Sequence, residues 1–169
     1  MKKAISTDLT SANIANVMEV LKASSPQLAS LSQSLSEEQL RQPLGTGERS
    51  FTEDLAHLIH TEDRSSEAIY LALLLDEPFI ADVHPERQWG KLLKFHLLPF
   101  SELLAYFQLR RVVLLRVLAS LTEIQWARSI REAGKKRQDS VYWRARTIAM
   151  HELDHLSDLQ NKVSGGAGW

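Results

Sequence analysis

The sequence contains no cysteine, so disulfides, thiolate zinc sites and a cysteine nucleophile are excluded. It also lacks an excess of one charge: 20 basic and 21 acidic residues give a net charge of -1, which favours neither nucleic acid nor an anionic membrane as a partner. No apolar run reaches the roughly 18 residues that a membrane helix needs, and no apolar segment follows the two N-terminal lysines. We therefore expect a soluble, cytoplasmic protein, in which any metal must be bound by imidazole, carboxylate or water.

The chain has the size and composition of one globular domain. Its 169 residues are 44% hydrophobic and 24% charged, close to globular averages, and they suffice to bury one core. We expect a single domain over residues 1–163, followed by a loose, glycine-rich tail over residues 164–169.

Apolar residues recur at three- and four-residue steps in four long segments, whereas β-branched residues are scattered and predict no strand. The predicted helices cover about 9–35, 50–75, 101–120 and 140–163. Residues 76–99 hold three prolines, and this link is much longer than the usual 2–8 residues between neighbouring antiparallel helices. The sequence therefore predicts an all-α fold, a four-helix bundle with a long crossover between the second and third helices.

Two further features bear on how the helices are arranged. Residues 34–41 resemble residues 120–126, and each segment follows a long helix and precedes a histidine-bearing one, which predicts two helical hairpins. The third helix carries Arg110, Arg111 and Arg116. We expect these arginines to form a solvated face, with binding of an anionic substrate as the alternative.

The last helix contains the strongest candidate for a metal site. His151 and His155 are four residues apart, so both imidazoles project from one face of a helix and could provide two ligands. The segment also satisfies the H-E-x-x-H pattern of zinc proteases. Only 14 residues follow His155, none of them histidine or glutamate, and no sheet is predicted, so we reject the protease interpretation. A third ligand must come from upstream.

His57 and His60, both on the second helix, are the upstream candidates, and periodicity alone does not choose between them. Glu152 lies between the two histidines of the last helix. It is a candidate catalytic base or acceptor for a ligand, and a plain salt bridge is the alternative.

These residues carry a resemblance to a known family. The segment Ser50-Phe51-Thr52-Glu53-Asp54-Leu55-Ala56-His57-Leu58 follows a Leu-Ser-Glu-Glu-Gln-Leu segment, and the pair His151-x-x-x-His155 comes far downstream. In this order the chain resembles the DinB-like (damage-inducible) metal-binding four-helix bundles over about residues 10–163. The resemblance implies that His57, His151 and His155 are the metal ligands. Where the family often has a histidine before the last ligand and a glutamine three residues after it, this chain has Asp154 and Asp158.

The resemblance also implies a function. It implies a divalent metal, nickel or zinc first and iron or manganese next, held by three imidazoles with open positions for water or substrate. Relatives in this superfamily include thiol-dependent transferases and isomerases, so we expect a metal-dependent transferase or hydrolase acting on a small molecule. The attacking group would be a metal-bound thiolate, from a diffusible low-molecular-weight thiol, or a hydroxide.

The resemblance also implies a homodimer and a role in stress response. The alternative is a non-catalytic metal-binding or stress-response bundle with a structural or vestigial site.

Overall fold

The computed structural model describes residues 5–81, 85–136 and 138–164, with the backbone alone for residues 85–87. Within these ranges, four long helices dominate, together with three short helices and three short strands. Their bounds are α1 Ser11–Ser32, α2 Glu37–Arg41, α3 Phe51–Leu74, β1 Phe79–Ile80, α4 Lys91–Leu93, α5 Phe100–Ala119, α6 Glu123–Trp126, β2 Ser129–Glu132, β3 Asp139–Ser140 and α7 Val141–Ser164. The loose tail predicted from residue 164 lies, beyond Ser164, outside the described residues.

The helix starts follow from side chains that satisfy free backbone amides. Ser50 and Glu53 form a capping box at the start of α3: the Ser50 hydroxyl accepts from the Glu53 amide at 3.2 Å, and Glu53 accepts from the Ser50 amide at 2.8 Å. Thr10 caps α1 in a similar way through the Asn13 amide. α1 continues through Pro26. Among the described residues, no helix has both the length and the apolar content needed to cross a membrane.

The four long helices do not pack as two hairpins. α1 packs against α5 and α7, and α3 packs against the same two helices, so α1 lies diagonally opposite α3. The hairpin prediction was therefore wrong. The α1–α3 and α5–α7 connections are long enough to cross the end of the bundle, and local similarity of the connecting segments carries no information about which helices pack together.

The crossover between α3 and α5 runs the length of the bundle because these two helices point in the same direction. Both begin near α2: the Thr52 hydroxyl donates to the Leu40 carbonyl at 3.0 Å, and the Phe100 amide donates to the Glu37 carboxylate at 3.2 Å. The crossover includes a π-helical turn at Pro85–Gly90 and a 3-10 turn at Phe95–Leu97. The predicted four-helix bundle with a long crossover between the second and third helices is confirmed.

Arg41 fixes the end of this crossover. Its guanidinium donates to three consecutive carbonyls, those of His96 at 3.3 Å, Leu97 at 3.5 Å and Leu98 at 2.8 Å. One side chain therefore holds the chain reversal that precedes α5 against α2.

The prediction of no strand was wrong. β1 pairs with β2 in parallel, and β2 pairs with β3 antiparallel, at the end of the bundle where α3 ends and α7 begins. These strands have only two to four residues, which is too short for a two-residue periodicity to stand out in the sequence.

A set of ion pairs attaches this sheet to the helices. The Glu132 carboxylate on β2 contacts Arg144 of α7 and lies 3.3 Å from Arg64 Nη2 of α3 and 2.8 Å from Lys135 Nζ. Burial by itself would raise the pKa of Glu132. Hydrogen bonds from Lys135 and Arg144 outweigh burial, however, and lower this pKa to about 2.

We expect Glu132→Gln to change the acid stability of the protein. The folded-state pKa lies below the ordinary value of 4.5, so the ionised carboxylate stabilises the fold above pH 4.5 and loses this contribution as the pH falls toward 2. The wild type should therefore lose stability over this range more steeply than the variant, as measured by urea denaturation at several pH values. Glu77→Gln, at a more exposed ion pair with Arg131, is the matched control. Parallel pH profiles of wild type and Glu132→Gln would contradict the assignment.

The buried core consists of two apolar clusters, one in each half of the bundle. One cluster is centred on Leu21, Ile69, Leu114 and Tyr142, and the other on Phe51, Leu55, Phe107 and Leu156. Between the two clusters, at mid-height of the bundle, lies the buried guanidinium of Arg111. The core is therefore divided by a polar layer.

Candidate metal centre

Three histidines from two helices meet at one point between α3 and α7. One ring nitrogen each of His57, His151 and His155 lies within 4.8 Å of the others, and the Nε2 atoms of His57 and His151 are 3.0 Å apart. The ring centroids are 4.6–4.8 Å apart. Two imidazole nitrogens bound to one tetrahedral zinc ion lie about 3.3 Å apart, given Zn–N bonds of about 2.0 Å. The triad therefore has the donor type and spacing to hold a divalent ion.

Polar side chains of α3 lie behind two of the three rings. Asp54 Oδ1 is 3.3 Å from His155 Nδ1, and Thr61 Oγ1 is 3.4 Å from His151 Nδ1. Partners at Nδ1 direct the opposite nitrogen, Nε2, toward a shared point, which is how carboxylates and hydroxyls orient histidine ligands in metal sites. Asp54 and Thr61 lie about one turn before and one turn after His57, so α3 provides both one ring and the supports for the other two.

The environment keeps His151 neutral. Burial lowers its pKa, the neighbouring His155 and His57 lower it further, and together they bring it to about 4. A neutral imidazole has a free lone pair at pH 7, which is the form that binds metal. His151 therefore pays no deprotonation cost on metal binding at neutral pH.

The structure separates the two upstream candidates that periodicity left open. His57 is half-buried and points at the pair on α7, whereas His60 is buried and stacks on Phe95 of the crossover with a centroid separation of 5.0 Å. Only His57 belongs to the triad; His60 packs α3 against the crossover.

Glu152 belongs to the polar layer that divides the core. Both of its oxygens contact the guanidinium of Arg111, which also binds Glu62 at 2.7 Å, the Leu21 carbonyl at 2.8 Å and Ser24 Oγ at 2.7 Å. Glu152 is 1% exposed. These contacts favour the salt bridge over the catalytic base, the two alternatives that the sequence left open.

The expectation of a solvated arginine face was wrong for two of its three members. Arg111 is buried, and Arg110 pairs with Asp63 and donates to Ser66 Oγ at 3.2 Å. Arg116 is exposed, as expected. Arginine flanked by apolar residues in a helical period gives no sign that acids on two other helices will surround it.

A cavity of about 250 Å³ opens beside the triad. It is lined by parts of α3, of the loop before α3 and of the crossover, namely Arg49, Glu53, Ala56, His57, His60, Gly90, Lys91 and His96. The triad is therefore in contact, through His57, with a space large enough for a small molecule. Sequence reasoning missed Asp54, Arg49 and the crossover residues of this cavity, although the position of Asp54 one turn before His57 was a usable signal.

We expect Asp54→Asn to weaken metal binding without unfolding the protein. The change keeps the shape of the side chain but removes the charge that faces His155 Nδ1, and loss of such an outer partner typically costs about 10–100-fold in metal affinity. Competition titration of zinc against a chromophoric chelator measures the effect. Asp76→Asn, the same change at a fully exposed aspartate, is the control. Equal zinc affinity in Asp54→Asn and wild type would show that the Asp54–His155 contact is incidental.

Comparison with known proteins places this geometry in a family. The sequence model of the DinB superfamily matches residues 21–159, a range that includes all three histidines. Among solved structures, the chain is similar to YfiT from Bacillus subtilis, with 19% sequence identity and a TM-score of 0.83 over 97% of this chain and 93% of that chain. YfiT is described as a probable metal-dependent hydrolase with an unusual four-helix bundle topology. No curated protein matches the chain. With the family match covering most of its length, the chain belongs to the DinB superfamily.

Proposed function

We propose that this protein is a metal-dependent hydrolase that acts on a small molecule, with a divalent ion held by His57, His151 and His155. The observation that carries the proposal is the convergence of three imidazole nitrogens within 4.8 Å next to an open cavity. The description of YfiT, which shares the fold, supports hydrolysis as the reaction class.

The donor set favours a catalytic site over a structural one. Structural zinc sites are usually closed by four protein ligands, whereas catalytic sites combine three protein ligands with an open position. Among the described residues, the grouped candidate ligands are the three histidines, and one of them lines the cavity. Three neutral imidazoles leave the charge of a bound ion intact. When bound, a divalent ion supplies Lewis acidity, which lowers the pKa of water or a thiol and polarises a substrate carbonyl or phosphoryl group.

The residues of this chain have separate tasks in such a reaction. His57, His151 and His155 bind the ion, and Asp54 and Thr61 orient two of the rings. The crossover forms one wall of the cavity through Gly90, Lys91 and His96, and Arg41 holds the end of this wall in place. The cavity thereby limits the size of the substrate and partly shields it from bulk water.

The test combines metal content with activity. Protein purified without chelator, then depleted and reloaded with zinc, nickel, manganese or iron in turn, should hold about one ion per chain, measured by elemental analysis. The loaded forms are assayed against panels of small esters, amides and phosphoesters, and against electrophiles with added small thiols. Hydrolysis that depends on the loaded metal supports the proposal. Conjugation of thiols without hydrolysis would replace it by thiol transfer, and a protein that holds no stoichiometric metal would refute both.

We also propose that the protein forms homodimers, as is implied for the family. The outer face of α5 offers apolar surface for such a contact, with Leu109 65% exposed, Val112 54% and Val113 47%. Light scattering of the purified protein at several concentrations measures the oligomeric state directly.

A further inference from the structure

The cavity beside the histidine triad has a basic lining. Two of its lining residues, Arg49 and Lys91, are cations, and three are imidazoles, His57, His60 and His96. Glu53 is the acidic residue among those that line it. The two cations come from different segments of the chain, since Arg49 precedes α3 and Lys91 begins α4 in the crossover.

The carboxylate of Glu53 lines the cavity and also has a partner at the start of α3. Its Oε2 accepts a hydrogen bond from the Ser50 amide at 2.8 Å, within the capping box of α3. The carboxylate therefore offsets the positive end of the α3 dipole and the amide groups there. Among the lining residues, two cations face one carboxylate, and that carboxylate already has a partner, so the lining carries a net positive charge next to the Arg49–Asp54 pair.

Arg49 connects this lining to the triad. Its Nη1 lies 3.7 Å from Asp54 Oδ1, and the same oxygen faces His155 Nδ1 at 3.3 Å. The Arg49 side chain remains 44% exposed, so a ligand in the cavity can reach its guanidinium. A planar guanidinium with several donors suits a carboxylate or a phosphate, because it can make two parallel hydrogen bonds to one group.

We propose that this cavity is a binding site for small anionic molecules, in which a carboxylate or phosphate group is held between Arg49 and Lys91 while the rest of the ligand extends toward His57. The identification of this ligand as the substrate rests on the proposed function, but the anion site itself does not. A volume of about 250 Å³ suits a small molecule. The reactive bond would lie on the triad side of the anionic group.

The experiment uses the full-length protein without metal, so that direct coordination of the probe by an ion cannot mimic binding. Acetate and inorganic phosphate are titrated separately, and acetamide, which has the shape of acetate without its charge, is the neutral control. Binding is followed by NMR through the backbone amide of Gly90 and the ring protons of His96, at low and high salt. Lys91→Gln and Arg49→Gln remove one cation each. Lys94→Gln is the matched control, because it makes the same charge change on the same segment at a residue that does not line the cavity.

We expect at least one of the two anions to shift these signals in a saturable way, with an affinity that falls at high salt. Lys91→Gln and Arg49→Gln should each weaken binding by roughly ten-fold or more, as expected for loss of one charge-assisted contact, and Lys94→Gln should not. A response to acetate alone or to phosphate alone would identify the anionic group.

Three outcomes would overturn the proposal: acetamide binds with the same affinity as acetate, neither anion gives a saturable response, or Lys91→Gln binds the anion with the same affinity as the wild type. Since Lys91 is exposed, its variant remains informative even if Arg49→Gln disturbs α3. Anion binding by a protein that takes up no metal would leave this inference standing and remove only the proposed hydrolase.

Discussion

Replacing any one of His57, His151 and His155 by alanine is expected to abolish stoichiometric metal binding while the bundle stays folded. Each ring provides one of three donors, and the remaining two cannot restore the lost bond because they come from fixed positions on α3 and α7. Loss of an outer partner of a ligand already costs about 10–100-fold in affinity, so removal of a ligand should cost more than this. Isothermal titration with zinc and nickel measures the affinity.

The matched control is His96→Ala, which removes an exposed imidazole from the same cavity but outside the triad. It should bind metal as the wild type does. Thermal unfolding provides a second measurement, because a ligand that binds only the folded state stabilises it by about 2.7 kcal/mol at a concentration of 100 times Kd. Added zinc should therefore raise the Tm of the wild type and of His96→Ala, and not that of the triad variants. Metal binding that survives in all three triad variants would refute the site.

If the metal were mainly structural, its removal would unfold the protein. We expect a smaller effect, because two apolar clusters hold the bundle together independently of the triad. The triad variants should keep a cooperative unfolding transition and the helical circular dichroism of the wild type. A variant that loses both metal and fold would instead support the structural alternative.

Replacing Arg111 by methionine is expected to give the largest loss of stability among the changes considered. The guanidinium is 3% exposed and lies between the carboxylates of Glu62 and Glu152, so its removal would leave two buried, like-charged acids facing each other. Breaking a buried ion pair in this way typically costs about 3–5 kcal/mol, which corresponds to a fall in Tm of roughly 10 °C for a chain of this size. Urea denaturation with linear extrapolation measures the loss, and Arg116→Met, on the exposed side of the same helix, should change stability by less than about 0.5 kcal/mol.

Two carboxylates, those of Glu62 and Glu152, share the single positive charge of Arg111. Burial raises the pKa of Glu62 to about 7; the charge of Arg111 opposes this rise, and the nearby carboxylate of Glu152 adds to it. A folded-state pKa above the ordinary 4.5 means that protonated Glu62 favours the fold at low pH and that this contribution is lost as the pH rises toward 7. Glu62→Gln should therefore gain stability relative to the wild type between pH 4.5 and 7. It should also be far less destabilising than Arg111→Met at pH 8. Equal losses of stability in Glu62→Gln and Arg111→Met at pH 8 would contradict the raised pKa of Glu62.

The location of this ion cluster also bears on the site. Glu152 follows His151 directly on α7, so the clamp of Arg111 on Glu152 fixes the rotation of α7 at the level of the triad. The same arginine binds α1 through the Leu21 carbonyl and α3 through Glu62. One buried cation thus ties together all four long helices beside the histidines, which is why Arg111→Met should also lower metal affinity in the fraction that stays folded.

The sequence by itself determined the local structure of this protein. The capping box of Ser50 and Glu53 marks the start of α3, the helical period places α5 within one residue of its observed start at Phe100, and the four-residue spacing of His151 and His155 puts both rings on one face. The absence of cysteine limits the ligands to imidazole and oxygen donors. These properties depend on residues within one or two turns of each other, and such short-range effects can be seen in the sequence.

Only the tertiary structure decided which side chains meet. It brought His57 and not His60 beside α7, placed Asp54 behind His155, buried Arg111 between two acids, and set α1 diagonally opposite α3. Each of these outcomes depends on which faces of two distant helices pack together, and helical periodicity gives the faces of each helix but not their pairing. The crossover that forms one wall of the cavity has no regular hydrophobic period, so the sequence gives no sign of where it packs. It contributes Gly90, Lys91 and His96 because it must run back along the bundle to join α3 to α5, which point in the same direction.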